Sequence, residues 1–129
     1  MPFEIKILSW CILLGLVYVF VAAGLGTQQR GLNWNVSNRD GEAKPLTGPA
    51  ARAWRANLNF LETFAFFAAA VLAVVATQRT TPDTAVGVEL YFWARLVYLP
   101  LYIIGVPYVR TLVWAVSLWG MLKVILALF

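Results

Sequence analysis

The chain has 129 residues, of which 61% are hydrophobic and 12% charged, with a formal net charge of +4. Soluble domains average about 45–50% apolar and about 25% charged residues, so this composition is typical of a membrane protein with little room for a separate soluble domain. Since the sequence has no histidine and a single cysteine, it excludes histidine acid–base chemistry, an internal disulfide and a histidine or thiolate metal centre. The few charges also disfavour nucleic acid as a partner, and we expect the positive excess to set the membrane topology.

The first predicted element is a transmembrane helix near the N-terminus. An apolar run extends from Ile5 to Gly26 and is long enough to cross about 30 Å of hydrocarbon. A signal peptide is the competing interpretation, but Glu4 lies in the segment that should be basic, and the run exceeds the usual apolar length of such peptides. We therefore expect helix one over residues 5–26.

A polar connection follows this helix. Residues Thr27 to Pro49 are rich in Gln, Asn, Ser, Gly, Pro and charged side chains, which predicts a solvent-exposed loop. Trp34 can place its amphipathic indole ring at the level of lipid headgroups, and packing within the loop explains the residue equally well.

Three more apolar segments predict helices over residues 50–77, 84–104 and 108–128. The polar segment from Gln78 to Pro82 ends the second helix, and Gly105-Val106-Pro107 forms a tight turn before the fourth. We expect an all-α integral membrane protein, with one four-helix bundle in up-down-up-down order that forms a single domain over residues 1–129.

Basic residues are distributed unequally about these spans. Lys6 and Arg79 lie near one end of the predicted bundle, and a larger group lies near the other end. That group is Arg30, Arg39, Lys44, Arg52, Arg55 and Arg110. The positive-inside rule then places the first loop and the third turn in the cytoplasm, and both termini in the periplasm or a lumen.

Two predicted helices carry polar residues on one face. Arg55, Asn59 and Glu62 follow helical spacing on helix two, and Arg95, Tyr98 and Tyr102 follow it on helix three, continuing from Tyr91. Arg110 and Thr111 begin helix four at the same end. Because charges at bilayer depth normally face the bundle interior, we expect a cationic, hydrogen-bonding cavity open to the cytoplasmic side.

A simpler alternative is that Glu62 and Arg95 form a neutralising interhelical pair and Arg110 anchors a helix end to headgroups. Against it, three arginines accompany one buried carboxylate, which indicates a missing anion. Arginine suits bidentate carboxylate recognition, so a ligand with carboxylates would supply that anion.

Three ordered motifs give the chain a family resemblance. They are Arg55-Ala56-Asn57-Leu58-Asn59-Phe60-Leu61-Glu62, similar to the pattern Arg-Ala-His-x-Asn-x-x-Glu, then Phe92-Trp93-Ala94-Arg95, then Gly105-Val106-Pro107-Tyr108-Val109-Arg110-Thr111. With them the chain resembles the superfamily of membrane-associated proteins in eicosanoid and glutathione metabolism (MAPEG), and especially its short bacterial branch. The resemblance implies a homotrimer of four-helix subunits in the bacterial inner membrane, with glutathione bound between neighbouring subunits.

The resemblance also implies roles for individual residues. Arg110 would lie beside the glutathione sulfur as the catalytic residue. Glutathione would be bound by Arg55, Asn59, Glu62, Arg95, Tyr98, Tyr102 and Thr111, and no metal is implied. Two positions depart from the family pattern. Asn57 replaces a frequent histidine, at a position that we expect to face lipid or a neighbour. Relatives often have an arginine near the cytoplasmic end of the first helix that contacts glutathione, and this chain has Gln28 and Gln29 there, followed by Arg30.

We therefore predict a membrane-embedded glutathione-dependent transferase or peroxidase that acts on a hydrophobic small molecule entering from the lipid. The alternative is a non-catalytic protein of the same fold that serves as an accessory or scaffold subunit of a larger membrane complex. A transporter is disfavoured, because the sequence shows no inverted repeat or broken helix.

Overall fold

The computed structural model describes residues 1–129, which form helices and no strands. The helices are α1 (Phe3–Arg30), α2 (Leu32–Val36), α3 (Gly48–Ala76), α4 (Pro82–Ile104) and α5 (Pro107–Leu126). All of them except the short α2 are long and apolar enough to cross a membrane. The prediction of an all-α integral membrane protein with four spanning helices is therefore confirmed.

The connection after the first helix differs from the prediction. Helix α1 continues past Gly26 to Arg30, and α2 forms within the segment that was predicted to be irregular loop. The extension is reasonable because Gln and Arg are good helix formers although they are not apolar, so the helix outlasts the apolar run. Gly31 ends α1 with a positive φ of 91°, a conformation that glycine adopts without strain.

The remaining helix ends follow from local sequence. Thr81 begins α4 with a capping box, in which its side chain accepts from the Thr84 backbone N–H and the Thr84 hydroxyl accepts from the Thr81 backbone N–H. Gly105 ends α4 in the left-handed conformation, with φ 84°. Pro107 opens α5, where proline is tolerated in a first turn.

Contacts between helices fix their directions. Helices α3 and α4 are antiparallel, since Asn59 lies against Arg95 and Phe67 stacks on Tyr91 at a centroid distance of 3.8 Å. Helices α4 and α5 are also antiparallel and approach each other closely where Gly87 faces Gly120. Helix α1 runs parallel to α4, because its contacts with that helix follow the same order along both helices.

The bundle therefore has two distinct ends. The α1–α3 connection and the α4–α5 turn lie at one end, which we call the loop end, where Arg52 Nε donates to the Ile103 carbonyl over 2.7 Å. The two termini and the α3–α4 turn lie at the opposite end, where the buried Glu4 accepts from the Thr84 hydroxyl over 2.8 Å and Arg79 donates to the Leu128 carbonyl.

Candidate functional site

A cavity of about 230 Å³ opens between α3, α4 and α5 near the loop end. Its lining residues are Asn59, Tyr98, Tyr102, Arg110, Thr111 and Trp114. All but one of these were singled out from the sequence, and Trp114 was missed. The signal for Trp114 was present, since it lies four residues after Arg110 and so on the same face of α5.

Tyr102 lies between two arginines at this cavity. The guanidinium carbon of Arg110 is 4.4 Å from the centroid of the Tyr102 ring, and Arg55 Nε donates to the Tyr102 hydroxyl over 3.3 Å. The turn at Gly105 produces this arrangement, because it returns the chain so that the first turns of α5 pack beside the last turn of α4. One phenol ring therefore orients two cations, Arg110 in the cavity lining and Arg55, which contacts Tyr102 from outside that lining.

Arg95 lies beneath the cavity and does not line it. It is completely buried, and its guanidinium donates to Asn59 Oδ1 over 2.7 Å and to Thr63 Oγ1 over 3.1 Å. Three aromatic rings surround the same group, with the nearest, Tyr98, 5.0 Å from the guanidinium carbon. The resemblance implies direct contact between Arg95 and the ligand; in one copy, Arg95 is enclosed and donates to Asn59, which lines the cavity.

The alternative ion pair between Glu62 and Arg95 is wrong. Glu62 is exposed on α3, and the only ion pair in the chain joins Lys123 to Asp83 at the opposite end of the bundle. Thr63 takes the position next to Arg95 that the sequence analysis gave to Glu62. Arg55, Arg95 and Arg110 form no ion pair with a carboxylate of this chain.

Two further positions differ from expectation. Asn57, expected to face lipid or a neighbour, is buried inside the bundle, and its Oδ1 has no hydrogen-bond partner. Arg30 lies outside the cavity that contains Arg110, because its Nε donates to the Lys44 carbonyl over 2.8 Å and holds it against the α1–α3 connection. Within one copy, Arg30 therefore takes no part in the site.

These features define a class of protein: an integral membrane four-helix bundle with a cavity near one end that is lined by arginine, phenol and amide groups. The chain belongs to the MAPEG family, whose model matches residues 7–129. It is thus a membrane protein of the family associated with glutathione and eicosanoid metabolism. No curated protein and no solved structure matches the chain.

Proposed function

We propose that the protein is a glutathione-dependent transferase or peroxidase that acts on a hydrophobic electrophile within the membrane. The observation that carries this proposal is the pair of arginines around Tyr102, which have no carboxylate partner in the chain. Membership of the MAPEG family supports glutathione as the anion that completes the site.

The residues at the cavity fit the chemical groups of glutathione. The tripeptide carries two carboxylates, one ammonium group, amides and a thiol. Arg55, which is exposed and bonded to the Tyr102 hydroxyl, offers a bidentate carboxylate site, and the exposed Glu62 offers an anion for the ammonium group. Asn59, Tyr98 and Thr111 supply hydrogen bonds to the amides and the second carboxylate.

A second copy of the chain would complete this site, and a homotrimer is part of the proposal. The cavity formed by one copy has a volume of about 230 Å³. Sites for small molecules usually have volumes of about 300–1,000 Å³. Arg55, Glu62 and Thr111 are exposed in the single chain, and of these three only Thr111 lines the cavity. A neighbouring subunit would cover these side chains and enlarge the enclosed volume.

Arg110 is the residue that we assign to the sulfur. Bound glutathione would supply the nucleophilic sulfur, which is mostly protonated at neutral pH because a free thiol has a pKa of about 8.5. A guanidinium does not transfer a proton in proteins, so Arg110 acts by electrostatic attraction alone. If it lowers the thiol pKa to about 6.5, the thiolate fraction at pH 7 rises from about 3% to about 75%, which requires roughly 2.7 kcal/mol.

The second substrate would reach the sulfur from the lipid. Trp114 gives the cavity an apolar wall, and Leu112 and Val116 near it on α5 face outward from the bundle. A hydrophobic molecule dissolved in the bilayer would therefore approach between subunits without crossing water. The proposal includes an inner-membrane location with both termini in the periplasm, since most of the basic residues lie at the loop end.

Two arginine variants separate ligand binding from thiol activation. Arg55→Ala should weaken glutathione binding, because it removes an interaction that is present in both ground and transition states. Arg110→Ala should leave binding of S-methylglutathione nearly unchanged, since that thioether has no anionic sulfur, and it should raise the pKa of bound glutathione and lower turnover of a small hydrophobic electrophile. The measurement is thiolate absorbance against pH for the parent, Arg110→Ala and the control Arg55→Ala at saturating glutathione.

Identical titration curves for the parent and Arg110→Ala would remove Arg110 from the mechanism. Absence of glutathione binding at millimolar concentration, together with stoichiometric purification in a larger membrane complex, would instead favour the non-catalytic accessory role. A trimer that retains glutathione and shows the Arg110-dependent shift supports the enzyme.

A further inference from the structure

A second cavity, of about 300 Å³, lies at the loop end on the other side of α3. It is formed by the end of α1, by α2, by the connection that follows α2, and by Trp54 of α3. It shares no lining residue with the cavity that contains Arg110. The residues proposed above to bind glutathione within one copy lie outside this cavity.

Two arginines in this second cavity are held by backbone carbonyls and not by acids. Arg30 Nε donates to the Lys44 carbonyl over 2.8 Å, and Arg39 donates to the Asn35 carbonyl through Nε over 3.3 Å and through Nη2 over 3.1 Å. These bonds orient both guanidinium groups and leave the two terminal nitrogens of Arg30 and one of Arg39 without a protein partner. No carboxylate lines the cavity, and neither arginine forms an ion pair.

The rest of the lining is that of a site at the membrane surface. Trp34 and Trp54 contribute two indole rings, which are favoured at the level of lipid headgroups. Ala22 and Leu46 give the cavity an apolar side, and α1 continues from there into the membrane with an exposed apolar surface that includes Phe20. A ligand with a phosphate and a hydrocarbon chain can thus place the phosphate at the arginines and the chain along α1.

We propose that this cavity binds an anionic phospholipid through its headgroup phosphate. Arginine forks match phosphate oxygens in bidentate fashion, and basic pockets near the membrane surface attract anionic headgroups. The bound lipid would join α1 to the connection that follows it, because Arg30 belongs to the helix and Arg39 to the connection. This inference is independent of the proposed glutathione chemistry.

The test is a lipid titration on the purified full chain in a neutral detergent. A short-chain phosphatidylglycerol is added, and binding is followed by calorimetry and by native mass spectrometry. Short-chain phosphatidylcholine tests whether the headgroup must be anionic, and glycerol phosphate tests whether a soluble phosphate compound suffices. Two variants remove one positive charge each from the same connection: Arg39→Gln, whose guanidinium lines the cavity, and Lys44→Gln, whose side chain does not line it.

Phosphatidylglycerol should bind with one molecule per chain, at least about tenfold more tightly than either of the other two ligands. Arg39→Gln should weaken this binding by about fivefold, as expected for loss of one interfacial arginine, whereas Lys44→Gln should leave it unchanged. Binding of S-methylglutathione should be the same in the parent and in both variants. That readout confirms that the variants are folded and keeps a failure here distinct from a failure of the proposed function.

Three results would overturn the proposal. Equal affinity for phosphatidylcholine would show that the negative charge is not recognised, and equal affinity for glycerol phosphate would identify a soluble phosphate compound as the ligand. An equal loss in Arg39→Gln and Lys44→Gln would show that only the net charge of the connection matters.

Discussion

Gly87 of α4 and Gly120 of α5 face each other at close range, and this contact predicts a large effect of adding one methyl group. A Cβ atom at position 120 would lie 2.5 Å from the Gly87 carbonyl oxygen and 2.8 Å from the Tyr91 backbone nitrogen. Both are backbone atoms, so no side-chain rotation can relieve the contact. The helices would have to move apart by at least 0.5 Å to reach 3.0 Å, a separation below which Cβ contacts are essentially never found.

Separation of this size weakens the packing along the whole α4–α5 interface. A radial gap of about 0.5–1 Å removes about a quarter to a half of each dispersion contact, and overpacked cores usually lose about 1–3 kcal/mol. Because the rigid backbone cannot adapt, we expect Gly120→Ala to lower the free energy of unfolding by about 3 kcal/mol. The melting temperature of a chain of this length should then fall by about 10 °C.

Gly24→Ala is the matched control. Gly24 lies inside α1, and a Cβ atom there would meet nothing within 4 Å. Alanine favours the helix over glycine by up to about 1 kcal/mol, so this variant should melt at or slightly above the temperature of the parent. Gly87→Ala, with its nearest contact at 2.7 Å, should fall between Gly24→Ala and Gly120→Ala.

The assay is thermal unfolding in detergent, followed by tryptophan fluorescence and by circular dichroism on the same samples. If Gly120→Ala melts within about 2 °C of the parent, the backbones of α4 and α5 are farther apart than the contact at Gly120 indicates, since overpacking should cost about 1–3 kcal/mol. If Gly24→Ala instead loses as much stability as Gly120→Ala, the reasoning is also refuted, because glycine would then be needed for something other than close packing.

Three further predictions concern topology and the site. Ser37→Cys should be shielded from impermeant thiol reagents in intact cells, because the positive-inside rule places this connection in the cytoplasm; ready labelling would reverse the orientation. Glu62→Gln should weaken glutathione binding or trimer assembly. It should leave the melting temperature of the dissociated chain unchanged, since Glu62 is exposed and has no ion pair within one copy. Unaltered binding and assembly would show that the Glu62 side chain only contacts water. Tyr102→Phe should weaken glutathione binding about fivefold, the equivalent of one hydrogen bond of about 1 kcal/mol, because the variant loses the bond from Arg55. It should leave the pKa of the bound thiol unchanged, because the ring beside Arg110 remains. Calorimetry measures the first effect and thiolate absorbance the second, and a raised thiol pKa would contradict this division of roles.

The number of spanning helices was predictable because it depends on patterns longer than any single residue. Apolar runs of about 20 residues separated by polar or proline-containing segments specify helices in a membrane almost regardless of detail. The end of α1 was not predictable by the same rule. Hydropathy reports where lipid ends, whereas Gln28 and Gln29 continue the helix into the polar region, and only Gly31 stops it.

Five residues singled out from the sequence line one cavity, but helical spacing could not assign hydrogen-bond partners among the polar residues. The five are Asn59, Tyr98, Tyr102, Arg110 and Thr111. Glu62 and Thr63 are consecutive, and one residue rotates the direction of a side chain by about 100° around the helix. That step turns Thr63 toward Arg95 and Glu62 outward, which reverses the pairing expected from charge alone. The rotation of α3 about its own axis is set by packing of Phe60 and Phe67 in the core, and no local sequence rule contains it.

The neutral surroundings of Arg95 explain how a cationic site can be maintained beside the hydrocarbon. A carboxylate partner would cancel the buried charge, whereas Asn59, Thr63 and the ring of Tyr98 stabilise the guanidinium and leave its positive field in place. In a medium of low dielectric constant that field extends to the cavity, where it adds to the charge of Arg110. In the proposed function, Arg95 would support binding of an anion in two ways without contacting it, through the orientation of Asn59 and through a charge that forms no ion pair in the chain.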